Sequence, residues 1–349
     1  MKNFLFSGNI IFAMICILTY IMSGLNPATY WLFSISSLLI PIFFIINILW
    51  ILLWLILHWK YSFLSFGIII LGYPQLKLLL NFGESNSGGK CNSAVFSLMS
   101  YNVYGLKNLK DTLDNSHLAN KTKFLSFIRQ YQPDILCVQE DNLYADDVIN
   151  KSDLYPYFHY LIQFGAAIYS KHPIIEKGVV DFGTKTNSCL WADILVHGKR
   201  MRVYSVHLQS NRVSKDVNKI TDEQAEKNSE RLNIFKRMLR NYRNSAVIRA
   251  SQTQQILDHA QQAKVPVLIA GDFNDTPFSF AYEQITKKYK DSFIERGYGL
   301  GSTFVGALPG LRIDYVFAGI KHFDFCRHEV LQTTFSDHNP VFTKLYCRI

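Results

Sequence analysis

The chain has no C-x-x-C pair: its six cysteines stand alone at positions 16, 91, 137, 189, 326 and 347. That disfavours a zinc site or thioredoxin-type redox chemistry. No Ser or Cys nucleophile stands beside a candidate base, so covalent nucleophilic catalysis has no footing in the pattern. There is no internal repeat, and no low-complexity stretch beyond one short Gly/Ser/Asn-rich segment. Acidic residues are absent from the three long apolar runs that open the chain. Without ionisable pairs at membrane depth, a transport role for that region has little support. Over the whole chain acids are outnumbered, 27 against 36 Lys and Arg, for a net charge of +9. An excess of one sign favours anionic partners such as phosphate esters, nucleic acid or anionic lipid, without choosing among them.

Apolar residues are plentiful instead, at 49%, with 14% aromatics. Phe4 to Leu25, Tyr30 to Leu57 and Phe63 to Leu80 are three apolar runs, the third the weakest. Each approaches or exceeds the ~20 residues that cross a bilayer. Tyr30, Trp31, Trp54, Trp59 and Tyr61 sit near run ends, as an interfacial aromatic belt does. The first run lacks a small-residue cleavage site and two further runs follow it, so a retained anchor is expected rather than a signal peptide. Lys2 and the His58-Trp-Lys60 loop place the N-terminus and the second loop in the cytoplasm by the positive-inside rule. Three crossings then put the remainder in a periplasmic or extracellular space, whereas a third run that only lies on the surface leaves it in the cytoplasm. The expected organisation is an all-α membrane region over 1–80, a linker over 81–93 and a globular domain over 94–349. Cys16 and Cys137 lie inside apolar runs and read as packing residues. Cys326 and Cys347 can meet only if their strands are neighbours.

In the globular part, Val95–Asn102, Ile135–Glu140, Gly165–Ser170, Leu190–Val196, Met201–His207, Val267–Asp272 and Arg312–Phe317 read as strands. Phe335–Phe342 is a polar turn entering a last strand. Lys121–Tyr131 and Ser279–Lys288 carry helical spacing. Asp222–Gln262 reads as a long amphipathic helical segment with a break near Asn241–Ser245. Helices alternating with strands predict an α/β layered architecture.

Several apolar strands end in a group suited to metal or phosphate: Asn102, Glu140, His207, and Asp272 with Asn274. Another carries Asp314, and the last turn supplies Asp337 and His338. Each alone is weak, because a polar strand end is usually just solvated. Strand ends in a layered sheet protein converge on one edge, where sites form. The chemistry they fit together is phosphoester hydrolysis. Glu140 and Asn102 offer hard oxygens to Mg²⁺. Asp272 can orient and deprotonate water, and Asn274 can donate to a phosphate oxygen. His338, held by Asp314 or Asp337, can donate to the phosphoryl group or protonate the leaving oxygen.

Met99-Ser-Tyr-Asn102, Leu136-Cys-Val-Gln-Glu140, Val206-His207, Gly271-Asp-Phe-Asn274, Arg312-Ile-Asp-Tyr315 and Ser336-Asp-His-Asn-Pro340 occur in this order. Together they resemble the endonuclease/exonuclease/phosphatase superfamily, of deoxyribonuclease-I-like fold, over the whole chain after about residue 93. The preceding apolar runs resemble a bacterial membrane-anchored subgroup. The resemblance implies a four-layer α/β sandwich, two central mixed sheets flanked by helices. It implies a Mg²⁺- or Mn²⁺-dependent phosphoester hydrolase with metal at Glu140, Asn102 and Asp337. Catalytic roles fall to Asp272, Asn274, His338, His207 and Asp314, and His207 matches a position that contacts the scissile phosphate. Val103-Tyr-Gly105 lacks the acid that some nuclease members place two residues beyond the Asn.

From Glu226 to Arg249, seven cations face only Glu226 and Glu230. Such a segment suits a nucleic-acid backbone, an anionic lipid surface, or a plain solvated helix face. Arg249 is the member expected to line the site and bind phosphate. The expected partners are therefore a phosphate-ester substrate, nucleic acid or phospholipid headgroup, and the lipid bilayer, with no obligate protein partner. A membrane-tethered, non-catalytic binding module on the same fold is the rival reading. It calls for a lost ligand, and every metal- and phosphate-type position is filled.

Overall fold

The computed structural model describes residues 2–83, 91, 94–109, 116–141, 148–161, 165–184, 187–211, 228–306 and 310–348. The N-terminal region is helical. It comprises α1 (Lys2–Met22), α2 (Trp31–Ser36), α3 (Ile40–Leu57), α4 (Ser62–Leu71) and α5 (Tyr73–Leu79). Pro41 sits in the first turn of α3, where its missing N–H leaves no helical bond unmade. Lys2–Met22 and Trp31–Leu57 are long and apolar enough to cross a membrane. Trp59–Leu71 with Tyr73–Leu79, bent by 61°, makes a third span if counted as one. The bundle buries polar groups beside an apolar core, and its outer surface is apolar. Buried Asn9 donates to Ser65 Oγ at 3.0 Å and accepts from Trp54 Nε1 at 2.9 Å. Phe4 and Ile56, by contrast, are 82% and 83% exposed.

Two six-stranded mixed sheets follow. One runs β10-β12-β9-β8-β7-β6, the other β13-β14-β2-β3-β5-β4. Their members are β2 (Val95–Asn102), β3 (Ile135–Gln139), β4 (Tyr157–Leu161), β5 (Ala166–Ser170) and β6 (Ile174–Val180). Then come β7 (Ser188–Val196), β8 (Lys199–His207), β9 (Val267–Asp272) and β10 (Tyr289–Asp291). The last are β12 (Asp314–Gly319), β13 (Phe323–Val330) and β14 (Val341–Cys347). Strands β2 and β3 are parallel, as are β8 and β9, and the other pairs are antiparallel.

Period-two alternation decides which side chains meet. Phe96, Leu98, Ile135, Cys137, Val203, Leu268, Ala270, Val316 and Val341 point between the sheets and form the central core. The alternate residues point outward under helices. Met99, Tyr101, Leu136 and Val138 pack with Phe124 and Ile128 of α6 (Ser116–Tyr131). Tyr204, Val206, Ile269, Tyr315 and Phe317 pack with Ile256, Leu257 and Ala260 of α7 (Asn228–Gln261), and with Tyr282 and Ile285 of α8 (Phe280–Thr286). Helix, sheet, sheet and helix are the four layers expected. Ser279 caps α8, accepting from Tyr282 N at 3.3 Å.

Three sequence expectations change. Helix α7 runs unbroken through Asn241–Ser245, because tertiary bonds hold that stretch: Tyr242 OH donates to Asp275 Oδ1 at 3.0 Å and Ser245 Oγ to Ser210 O at 3.0 Å. The segment's expected start, 222–227, lies outside the described residues. Cys326 is disulfide-bonded to Cys91, while Cys347 is free, although β13 and β14 are neighbours. The expected linker begins as a strand: β1 (Asn81–Phe82) pairs with β11 (Tyr298–Gly299). Residues 84–90, 92 and 93 of that linker lie outside the described residues.

The helical region docks against the sandwich. Phe278 enters the bundle core beside Cys16, Tyr20 and Phe44. Buried Arg312 donates to Leu78 O at 3.0 Å. Asn81 donates to Phe293 O, in α9 (Ser292–Arg296), at 2.6 Å. The Arg243 guanidinium stands 5.0 Å from the Trp31 ring centre.

Candidate active site

The same alternation that builds the core builds the site. Asn102 continues the inward set Phe96, Leu98 and Ser100. His207 continues Val203 and Ser205, Asp272 continues Leu268 and Ala270, and Asp314 precedes Val316 and Ala318. Register aligns them: Asp272 stands opposite Asp314 on one side and His207 on the other. Four polar groups thus close one end of the inter-sheet core. Gly271 makes the approach possible, since a Cβ there would lie 2.0 Å from Val206 O.

Asp272 is the hub, buried at 1% exposure. Its Oδ1 accepts from Asn274 N at 2.8 Å. Its Oδ2 accepts from Asn102 Nδ2 at 3.0 Å and Asn274 Nδ2 at 3.2 Å. Burial, and then the nearby Asp314 carboxylate, push its carboxyl above the usual range. His207 Nε2 is 3.8 Å from Asp272 Oδ2 and 3.9 Å from Glu140 Oε1. His338 bonds Asp314 Oδ2 through Nδ1 at 2.9 Å, with Nε2 3.9 Å from Asp272 Oδ2. Burial works against charge on His338, but Asp314 and Asp272 outweigh it and raise its pKa to about 10. Burial also raises Asp337, opposed by His338 and reinforced by Glu140.

Glu140 would point outward by strict alternation. A left-handed backbone, φ 51°, breaks that pattern and brings Oε1 to 3.3 Å from Asn102 Nδ2. Asn274 is left-handed too, at φ 53°. Left-handed non-glycine residues cost roughly 1–3 kcal/mol each and cluster at functional sites.

All the expected positions except Arg249 fall in this one cluster. Arg249 is fully buried behind the Asn274 loop. It pairs with Asp275 at 2.8–2.9 Å and donates to Gln209 O and Asn211 Oδ1, so the geometry corrects its expected contact with substrate. Two other expectations shift. The Oδ1 of Asn102 accepts from Tyr104 N at 3.0 Å, so the amide turns a donor, not an oxygen ligand, toward Glu140 and Asp272. Asn274 spends its amide hydrogens on Leu208 O at 3.1 Å and on Asp272, so it orients the carboxylate instead of reaching out to a phosphate.

Sequence reasoning missed three supports. Ser336 Oγ donates to Asn102 O at 2.7 Å and accepts from His338 N at 3.1 Å, tying the last turn to β2. Thr303 Oγ1 accepts from the backbone N–H of Ile313 and Asp314, both at 3.1 Å. Phe304 packs edge-on against the His338 ring at 5.1 Å. Ser336 lay within a quoted motif, but nothing local marks Thr303 or Phe304.

The donors present fit a divalent cation. Asp272, Asp314 and His338 offer ligand-type atoms within 4.8 Å of one another, and Glu140 and Asp337 add hard oxygens beside them. Two buried polar atoms here, His207 Nε2 and Asp314 Oδ1, have no hydrogen-bond partner among the described residues. Such atoms call for an ion, a water or a substrate.

Comparisons with known proteins bear on the fold that carries this site. The profile of the Endonuclease/Exonuclease/phosphatase family matches residues 99–338, and a domain of unknown function, DUF8431, matches residues 2–79. No curated protein sequence matches the chain. Among solved structures, D. rerio TDP2 humanized by 14 mutations is similar at TM-score 0.54 and 18% identity, covering 72% of this chain and 99% of its own. An endonuclease/exonuclease/phosphatase from Bacteroides vulgatus follows at 0.53 and 17%, covering 73% and 99%. The human Nocturnin catalytic domain with bound sulfate anion stands at 0.52 and 16%, covering 74% and 96%. These likenesses carry the fold, and the profile spans more than half of the sequence: the chain belongs to the endonuclease/exonuclease/phosphatase family.

Proposed function

We propose that this protein is a divalent-cation-dependent phosphoester hydrolase whose site lies at the edge shared by its two sheets. The observation that supports it best is Asp272, buried and aligned by Asn102 and Asn274 within reach of both His207 and His338. Glu140 and Asp337 would hold Mg²⁺ or Mn²⁺, which supplies charge neutralisation at the phosphoryl and leaving oxygens when bound. Asp272, its pKa raised, takes the proton of the attacking water. His338, kept cationic between Asp314 and Asp272, donates to a phosphoryl oxygen where negative charge grows. His207, with a free buried Nε2, contacts the same phosphate. Asn102 and Asn274 position carboxylates and touch no substrate. The test is hydrolysis of plasmid DNA, RNA, sphingomyelin, phosphoinositides and simple phosphodiesters by the full chain, with Mg²⁺ and with chelator. Asp272→Asn and Glu140→Gln should abolish the activity. Cleavage undiminished by chelator, or by either substitution, counts against the reading.

The N-terminal helices act on this reading as a membrane anchor over residues 1–80. The domain sits against the Met22–Trp31 end of the bundle, opposite Lys2 and Lys60. By the positive-inside rule that side is external. The Cys91–Cys326 disulfide suits an oxidising compartment. Alkylation of both thiols in intact cells without reductant would show the opposite side.

A further inference from the structure

We infer that the N-terminal half of α7 is a lipid-binding helix that lays the mouth of the candidate site on an anionic bilayer surface. The inference rests on the membrane reading above and names the partner of the site's edge. Strands β8 and β9 are parallel, so the crossover helix α7 runs antiparallel to both. Its N-terminus therefore lies at the strand ends that carry His207 and Asp272. With 34 residues α7 is about 50 Å long, whereas β9, with six, spans about 20 Å. The Tyr242–Asp275 hydrogen bond marks the level of the site along the helix. Residues 228–241 therefore extend about 20 Å past that level.

The apolar helices arrive at the same level. Arg243, next to Tyr242, stands over Trp31, where the second membrane-length segment begins. Phe278, four residues after Asn274, is inside the bundle core. The overhang is thus rooted where the bundle meets water. Its surface has the composition of an interfacial helix. Leu232, Phe235 and Leu239 form one stripe at helical spacing, with Leu232 and Phe235 52% and 51% exposed. Exposed Lys236, Arg240 and Arg243 flank it at i, i+4 and i+7, and exposed Arg231 lies on its other side. An apolar stripe edged by cations buries at the headgroup boundary and pairs with lipid phosphates. A single-stranded nucleic acid would also meet the cations. The aliphatic Leu232 and the continuity with Trp31 favour lipid over base stacking. In this placement the substrate phosphate is presented from the plane of the membrane.

The test uses the full chain in phosphatidylcholine nanodiscs, with and without phosphatidylglycerol, in the Asp272→Asn background. Amide exchange over residues 229–241 should slow roughly tenfold or more in the anionic discs, and trypsin cleavage at Arg231, Lys236 and Arg240 should slow with it. The exchange response should vanish in Lys236→Gln/Arg240→Gln, where trypsin can be read only at Arg231, and both responses should weaken in Leu232→Ser/Phe235→Ser. Equal exchange in the two disc types overturns the inference. So does protection by a single-stranded oligonucleotide in phosphatidylcholine discs without a lipid response. Because exchange is read in a variant expected to be inactive, loss of the lipid response and absence of hydrolysis by the native chain are separate results.

Discussion

The imidazole of His338 donates through Nδ1 to Oδ2 of Asp314 across 2.9 Å, and both side chains are buried. The bond fixes the ring so that Nε2 faces Asp272, and it stabilises the imidazolium against the cost of burial. Asp314→Asn keeps the shape but removes the charge. Hydrolysis should then fall by about 10²–10⁴-fold, the usual worth of a positioned proton donor. The sign of the pH effect follows from the shift: a pKa raised to about 10 moves back down, so the alkaline limb of kcat should appear at lower pH. A pH–rate profile identical to that of the native chain would remove Asp314 from the mechanism.

Asn102 bridges the two carboxylates that the proposal separates by role, Glu140 for the cation and Asp272 for the water. It acts on the ion only through Glu140. Asn102→Ala should therefore weaken Mn²⁺ binding by about 10–100-fold, as loss of an outer partner commonly does. Glu140→Gln should weaken it further, and more than Asp272→Asn, because hydrogen bonds from Asn102 and Asn274 already occupy the Asp272 carboxylate. Calorimetric titration of Mn²⁺ into the three variants checks the order, and equal affinities across all three would contradict it.

How much of this was legible beforehand follows from the range of the interactions. Asn102, His207, Asp272 and Asp314 could be read because inward alternation carries straight from the core into the site. Glu140 was legible as a strand end, but not its left-handed turn, since that conformation depends on what surrounds it. Arg249 was misread because helical spacing reports a face and not what the face meets. Here it meets Asp275. The Cys91–Cys326 bond joins residues 235 apart, and no local pattern encodes it. The continuity of α7 across Asn241–Ser245 is a tertiary override of poor propensity, imposed by Asp275 and Ser210.

Gly271 has φ +152°, and an added Cβ would fall 2.0 Å from Val206 O in the neighbouring strand. The clash is with backbone, so no side chain can rotate away. Gly271→Ala should cost roughly 3 kcal/mol or more and pull β8 from β9, where His207 faces Asp272. A lowered Tm in detergent, together with lost hydrolysis, is expected. An unchanged Tm would mean that the two strands need no such contact.

His328 offers a pH test away from the site. Its ring is buried, shares a 2.9 Å hydrogen bond with Ser292 Oγ, and leaves Nε2 without a partner among the described residues. Burial lowers its pKa to about 4, with Asp291 opposing and Arg312 assisting. An unfolded imidazole takes its proton near pH 6.5. Below that pH the unfolded chain binds a proton that the folded chain refuses, until about pH 4. The contribution to stability is complete above pH 6.5 and is lost as pH falls through that window, about 3 kcal/mol in all. His328→Gln should flatten the decline. The difference between native and variant unfolding free energies, measured at steps from pH 7 to pH 4, isolates this one group from the carboxylates that titrate beside it. A difference that stays constant across the window would show that the ring takes up its proton in the folded protein as it does in the unfolded chain.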